Sequence, residues 1–149
     1  MHIVVLNIDV NGQNMFMNYT ADAVRTRNDM FLLKKDIVDT VAKSKQLKIE
    51  KISVLGMYDT HILNQYAEHY VTFFVTVNGI GSVKDVILPN VPETPQELAS
   101  LKITLAQKIE AETKGTIGDL VLLGIIPLSQ NIGVDLIGEN TFQHFAIAQ

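Results

Sequence analysis

Apolar and polar positions along this chain run through the same order twice, over residues 3–57 and again over 70–125, at a spacing of 67–68 residues. Each passage opens on a β-branched run that predicts a strand, Ile3–Val10 and then Tyr70–Val77. Asn11-Gly12 follows the first as a two-residue hairpin turn, because both residues accept positive φ. Asn78-Gly79-Ile80-Gly81 is the matching turn in the second passage. The return strands are Gln13–Thr20, with Met15, Met17 and Tyr19 on one face, and Ser82–Leu88. Pro89 and Pro92 stop the latter, since proline has no N–H to give a ladder.

The period then lengthens. Met30, Leu33, Ile37 and Val41 recur at helical spacing, as do Leu98, Leu101, Leu105 and Ile109, so each passage predicts a helix with one apolar stripe. Thr26 is placed to cap the first helix, with Asp29 near its positive end, and this helix runs to about Lys45. Thr94-Pro95-Gln96-Glu97 reads as a capping box with proline at the first helical position. The second helix ends near Lys114-Gly115, where glycine permits a left-handed residue. Ile49–Gly56 and Leu120–Ile126 close the two passages as strands; the second is apolar on both faces and is expected to be central.

Thr26–Met57 aligns on Thr94–Ile125 without a gap, and six of the 32 positions are identical. Chance would give about two at average residue frequencies. The expected fold class is α+β: a duplicated ββαβ unit with pseudo-twofold symmetry, mainly antiparallel sheet with two helices on one face. Residues 1–128 form a single pseudo-symmetric domain, with repeat one at 3–57, a linker at 58–69 and repeat two at 70–126. The linker predicts a helical turn over Ile62, Leu63 and Tyr66. Residues 129–149 form a C-terminal arm with little overall period, whose apolar side chains Ile132, Val134, Leu136, Ile137, Phe142, Phe145 and Ile147 are candidates for contact with a neighbour.

Composition narrows the function classes. Apolar residues make up 47% of the 149 positions and charged residues only 19%, which excludes disorder and suits surfaces covered by a partner. There is no cysteine, hence no thiolate chemistry, disulfide or Cys-based zinc site. Met1-His2-Ile3 starts directly on a strand without a leader pattern, and no apolar run reaches the roughly eighteen residues of a membrane span. Net charge is −4, yet residues 25–51 hold eight of the twelve basic side chains. Lys34, Lys35, Lys43 and Lys45 give the only hint of nucleic-acid binding. No aromatic residue alternates with them, and Asp36 and Asp39 are interleaved, so a solvated helix face is expected instead. A basic stretch facing an acidic region of another subunit fits the same asymmetry.

Few constellations carry chemistry. The linker contains Asp59, His61, Glu68 and His69, and His61 and His69 are the metal candidates, although no His-x-x-x-His or Glu-x-x-His pair supports them. The Asn78-Gly79-Ile80-Gly81 glycines lie between strands, whereas a phosphate cradle must open a helix. Asp9 and Asp85 are strand carboxylates that are candidates to meet across a sheet. No serine stands in a nucleophile-elbow context. No catalytic residue and no cofactor are expected.

The second hairpin, the Thr94-Pro95-Gln96-Glu97-Leu98 helix start and the Leu120-Val121-Leu122-Leu123-Gly124 strand resemble small ββαβ proteins encoded by bacteriophages and other mobile elements. The likeness covers the second half only and implies a viral or mobile-element origin. Together these features lead to the expectation of a non-enzymatic structural or assembly subunit. It would be a bacteriophage virion accessory protein, capsid-associated or tail/connector, that self-associates through strand edges and the C-terminal arm. The expected partners are further copies of the chain or neighbouring virion proteins, with no membrane, in the virion or host cytoplasm. The alternative is a soluble phage-encoded inhibitor or regulator that binds a host protein or small ligand between the two repeats.

Overall fold

Asn11 and Gly12 adopt φ of 53° and 80°, and Asn78 and Gly79 adopt 52° and 80°. Two successive positive φ values define the turn whose twist matches antiparallel strands. In the computed structural model, which describes residues 1–45 and 48–129, these turns join β1 (His2–Val10) to β2 (Gln13–Ala21) and β4 (Glu68–Val77) to β5 (Ile80–Leu88). Ile80 and Gly81 therefore belong to β5, not to the turn. Gly81 serves packing instead: the Phe74 ring lies over it, and a Cβ there would fall 2.6 Å from the ring edge.

The remaining elements are α1 (Arg27–Lys45), β3 (Ile49–Asp59), α2 (Thr60–Leu63), α3 (Pro95–Thr113) and β6 (Ile117–Leu128). The fold is α+β, and all strand pairings are antiparallel. The strands form two three-stranded sheets, ordered β2-β1-β3 and β5-β4-β6. The chain divides into two compact units, Met1–Asp59 and Thr60–Gln149. The residues expected as a linker are ordered structure: β3 continues to Asp59, α2 makes the expected helical turn, and β4 begins at Glu68.

In the first unit, Val4, Leu6, Ile8 and Val10 of β1 pack with Leu33, Ile37 and Val41 of α1 and Ile52 of β3. Met15, Met17, Tyr19 and Met30 close the margins of this core. The strand alternation and the helical stripe thus meet as the sequence predicts. Thr26 Oγ1 accepts from the Asp29 amide at 3.0 Å. The Asp29 carboxylate in turn accepts from the Arg25 and Thr26 amides at 3.0 and 3.2 Å. The Arg25 amide and then the Thr26 groups hold the Asp29 carboxyl below its ordinary pKa.

In the second unit, Val71, Phe73 and Val75 of β4 and Leu120, Leu122 and Ile125 of β6 are buried, as are Leu98, Leu105 and Ile109 of α3. Thr94 caps α3 by accepting from the Glu97 amide at 3.1 Å, and Glu97 accepts from the Glu93 amide at 3.1 Å. Among the described residues β6 is an edge strand, not the expected central one, because β4 holds the middle position. Its apolarity on both faces reports burial on both faces: Leu122 lies opposite Phe73, Val121 lies opposite Phe74, and both are buried. It does not report the number of strand neighbours.

β3 and β6 are each bulged against their central strand, whereas β2 and β5 pair without a shift. Val5 faces Gly56 while Leu6 faces Val54, so Leu55 is the extra residue. Thr72 faces Gly124 while Phe73 faces Leu122, so Leu123 is extra. The bulge adds twist and leaves its residue out of the ladder.

The left-handed residue ending α3 is Lys114, with φ 55°, rather than Gly115. Its amide reaches the Glu110 carbonyl at 2.7 Å. Glycine at 115 answers a different demand, since a Cβ there would lie 2.5 Å from Val77 Cγ1. Lys114→Gly is therefore expected to stabilise the chain by about 1 kcal/mol, the cost of a side chain in this conformation. Gly115→Ala is expected to destabilise it by about 1–3 kcal/mol through the clash. Urea unfolding of both variants checks the pair; the reverse order would place the conformational demand at 115.

Candidate functional site

His61 and His69, the metal candidates, play different parts. His69 is fully buried on β4 and directs Nε2 at the Leu63 carbonyl, 2.5 Å away. A carbonyl only accepts, so Nε2 carries the proton. Nδ1 faces the Leu88 carbonyl at 3.4 Å. The ring thus ties α2 to the hairpin. Asn64 makes a second tie, with Nδ2 donating to the Val91 carbonyl and Oδ1 accepting from the Val91 amide, both at 2.8 Å. His61 is outside this clasp, with its side chain 79% exposed and Nδ1 3.2 Å from Glu93 Oε1. Among the described residues, no group of three or more His, Asp or Glu side chains could hold a metal ion, and no helix is long and apolar enough to cross a membrane.

Asp9 and Asp85 lie in different sheets and are not cross-strand partners. Asp9 sits between Asn14 and Lys51, and Asp85 lies opposite Thr72. Each has Oδ1 buried without a hydrogen-bond partner. Asp85 Oδ2 accepts from the Tyr70 hydroxyl at 2.7 Å, while Asp9 borders a polar depression of about 290 Å³ with Asn7, Asn14, Lys51 and Ser53. These side chains point away from α1, because they alternate with the core residues of β1, β2 and β3. In the same unit the Tyr19 hydroxyl donates to Asp36. Hydrogen bonding to these carboxylates, above all, raises the pKa of both tyrosines above the ordinary phenol value.

The basic residues expected on the first helix are exposed at Lys34, Lys35 and Lys43; nothing is described of the Lys45 side chain. Lys34 and Lys35 do not form a uniform charged face. They border an apolar groove of about 360 Å³ between α1 and β3, whose walls include Phe31, Val38, Ile49 and Ile52. Phe31 is 65% exposed. Phe31 and Val38 are seven residues apart, and this second apolar line on α1 is the sequence signal for the groove. It was obscured by the stronger Met30-Leu33-Ile37-Val41 stripe beside it.

No family model, curated protein or solved structure matches the chain.

The site is therefore read from its own geometry. Among the described residues β3 has one partner strand in its sheet, and its other edge runs beside the groove. Leu55, the bulged residue on the same strand, is 55% exposed and borders the depression around Asp9 rather than the groove. An open ladder, an apolar trough and a lysine rim can bind an extended peptide segment. The arm residues Ile132, Val134, Leu136, Ile137, Phe142, Phe145 and Ile147 lie outside the described residues.

His69→Phe is expected to cost about 2–3 kcal/mol by leaving the Leu63 carbonyl buried without a donor. Urea unfolding checks this; an unchanged midpoint would contradict the clasp. The tyrosine shifts have a defined sign. A phenol whose folded pKa is raised stabilises the fold below its unfolded value of 10.0 and loses that contribution as pH rises through the folded value. Thermal stability is expected to fall above pH 10 in the natural chain and to fall less in Tyr19→Phe/Tyr70→Phe.

Proposed function

We propose that this protein is a non-enzymatic assembly subunit that associates with further copies, or with neighbouring proteins of a particle, through its strand edges and C-terminal arm. The observation that carries this reading is the composition of the outer strands. β6 has one charged residue, Asp119, in twelve positions. β3 carries Glu50 and Lys51 near its start and then no charge from Ile52 to Tyr58. Among the described residues each of these strands has a single partner in its sheet. Edge strands of monomeric proteins are commonly blunted by charge, proline or distortion. Here the distortions are the bulges at Leu55 and Leu123, further register shifts at Glu50 and at Gly118-Asp119, and Pro127 near the end of β6, and uncharged runs remain between them.

We read the two units as copies of one ββαβ unit. The same element order, positive-φ turn and bulge one residue before Gly56 and Gly124 support this. The likeness of the second unit to small phage-encoded ββαβ proteins supports a virion accessory role, capsid-associated or at a tail connector. One observation favours the second reading, a phage-encoded regulator. The polar depression around Asp9, with its unpartnered Oδ1, would suit a donor group of a small ligand or host protein.

The two readings separate by sedimentation equilibrium of the full chain. An assembly subunit associates reversibly, and Leu55→Lys/Ile126→Lys is expected to weaken association by roughly tenfold or more, since each lysine would be desolvated in the contact. Both positions are 55% exposed, so circular dichroism should be unchanged. A monomer at all concentrations would overturn the assembly reading.

A further inference from the structure

We propose that the groove between α1 and β3 receives residues 132–137 of a second copy of this chain, which pair with the open edge of β3 as an added strand. This rests on the assembly reading above and names the segment and the seat through which it would operate.

Three observations support the match. First, among the described residues the outer edge of β3 is an unpaired ladder beside a ready apolar trough, so an incoming strand gains backbone hydrogen bonds and side-chain burial together. Second, the incoming segment has the right pattern. Ile132, Val134 and Leu136 are two residues apart and would share one face of a strand, while Asp135 would point to the other. The face of β3 toward α1 carries Ile49, Ile52 and Val54, opposite Val10, Ile8 and Leu6 of the core. The apolar face of the segment would therefore turn toward Phe31 and Val38. Lys51, paired in register with Asp9, borders both the groove and the depression on the opposite face, near where Asp135 would fall.

Third, the charges complement one another. Lys34, Lys35 and Lys51 border the groove against Asp39 and Glu50. Residues 130–149 contain no lysine or arginine but include Asp135 and Glu139. The same sense holds at larger scale: residues 25–51 hold eight basic and four acidic side chains, and 52–149 hold four basic and ten acidic. A basic seat on one copy and an acidic segment on the next give a head-to-tail contact, the kind that builds rings or filaments.

The absence of cysteine from the chain makes a direct test available. Full-length Val38→Cys and Val134→Cys proteins are mixed under mild oxidation and compared with Val38→Cys mixed with Lys108→Cys. The proposal expects the first mixture to form cross-linked heterodimer roughly tenfold faster than the control, because a seated segment raises local concentration. Equal rates in a chain that still self-associates would overturn this seat while leaving the assembly reading intact. A chain that is monomeric throughout would overturn both. An intrachain disulfide formed by monomers of Val38→Cys/Val134→Cys would overturn the second copy as occupant. Charge reversal gives an independent arm. Lys34→Glu/Lys35→Glu should weaken association by roughly fivefold at low salt, and combining it with Asp135→Lys/Glu139→Lys should restore it. Weakening without restoration would contradict the pairing.

Discussion

The structure depends on the two central strands, β1 and β4, having both edges satisfied. Each donates and accepts on two sides and turns a buried apolar row toward one helix. A three-stranded sheet with a helix on one face is close to the smallest arrangement that can do this. Its consequence is unavoidable: for every satisfied central strand there are two outer strands with one open edge. The turns fix one neighbour of each central strand at close range. The other neighbour returns only after a helix and is held in register by a bulge, which lets Leu55 and Leu123 leave the ladder without reversing the faces that follow.

Local chemistry was legible in the sequence wherever one residue type answers one backbone demand. Asn-Gly turns, threonine caps and the two helical stripes all stand where periodicity and capping rules place them. Positions where two demands compete were less legible. Gly115 looks like a helix terminator, but Lys114 takes the left-handed conformation because the approach of Val77 requires glycine one residue later. β6 looks central because both its faces are apolar, yet face burial and edge pairing are separate properties, and only the second decides strand order. Residues 58–69 read as a linker because they lie outside both repeats. His69 and Asn64 are instead internal donors and acceptors that stitch α2 to the following hairpin.

The candidate site was only partly visible. The lysines of α1 were found but read as a solvated face. Phe31 and Val38 turn part of that face into a groove, and β3 supplies its open ladder. Neither feature belongs to one local segment: α1 and β3 must be packed before the trough exists. The apolar arm was conspicuous in the sequence, whereas the groove proposed to receive it was not. The helices and central strands carry the buried core, and the outer strands carry the open edges on which the proposed assembly role rests.

The most direct test of that division is amide hydrogen exchange of the full chain at low and high protein concentration. Central-strand amides of β1 and β4 should be protected at both, because their partners lie within each sheet. Outer-edge amides of β3 should exchange fast when dilute and slow as copies accumulate. Fast exchange along β3 at every concentration, with β1 and β4 protected throughout, would contradict the account, because the open edge would then have no partner among copies of this chain.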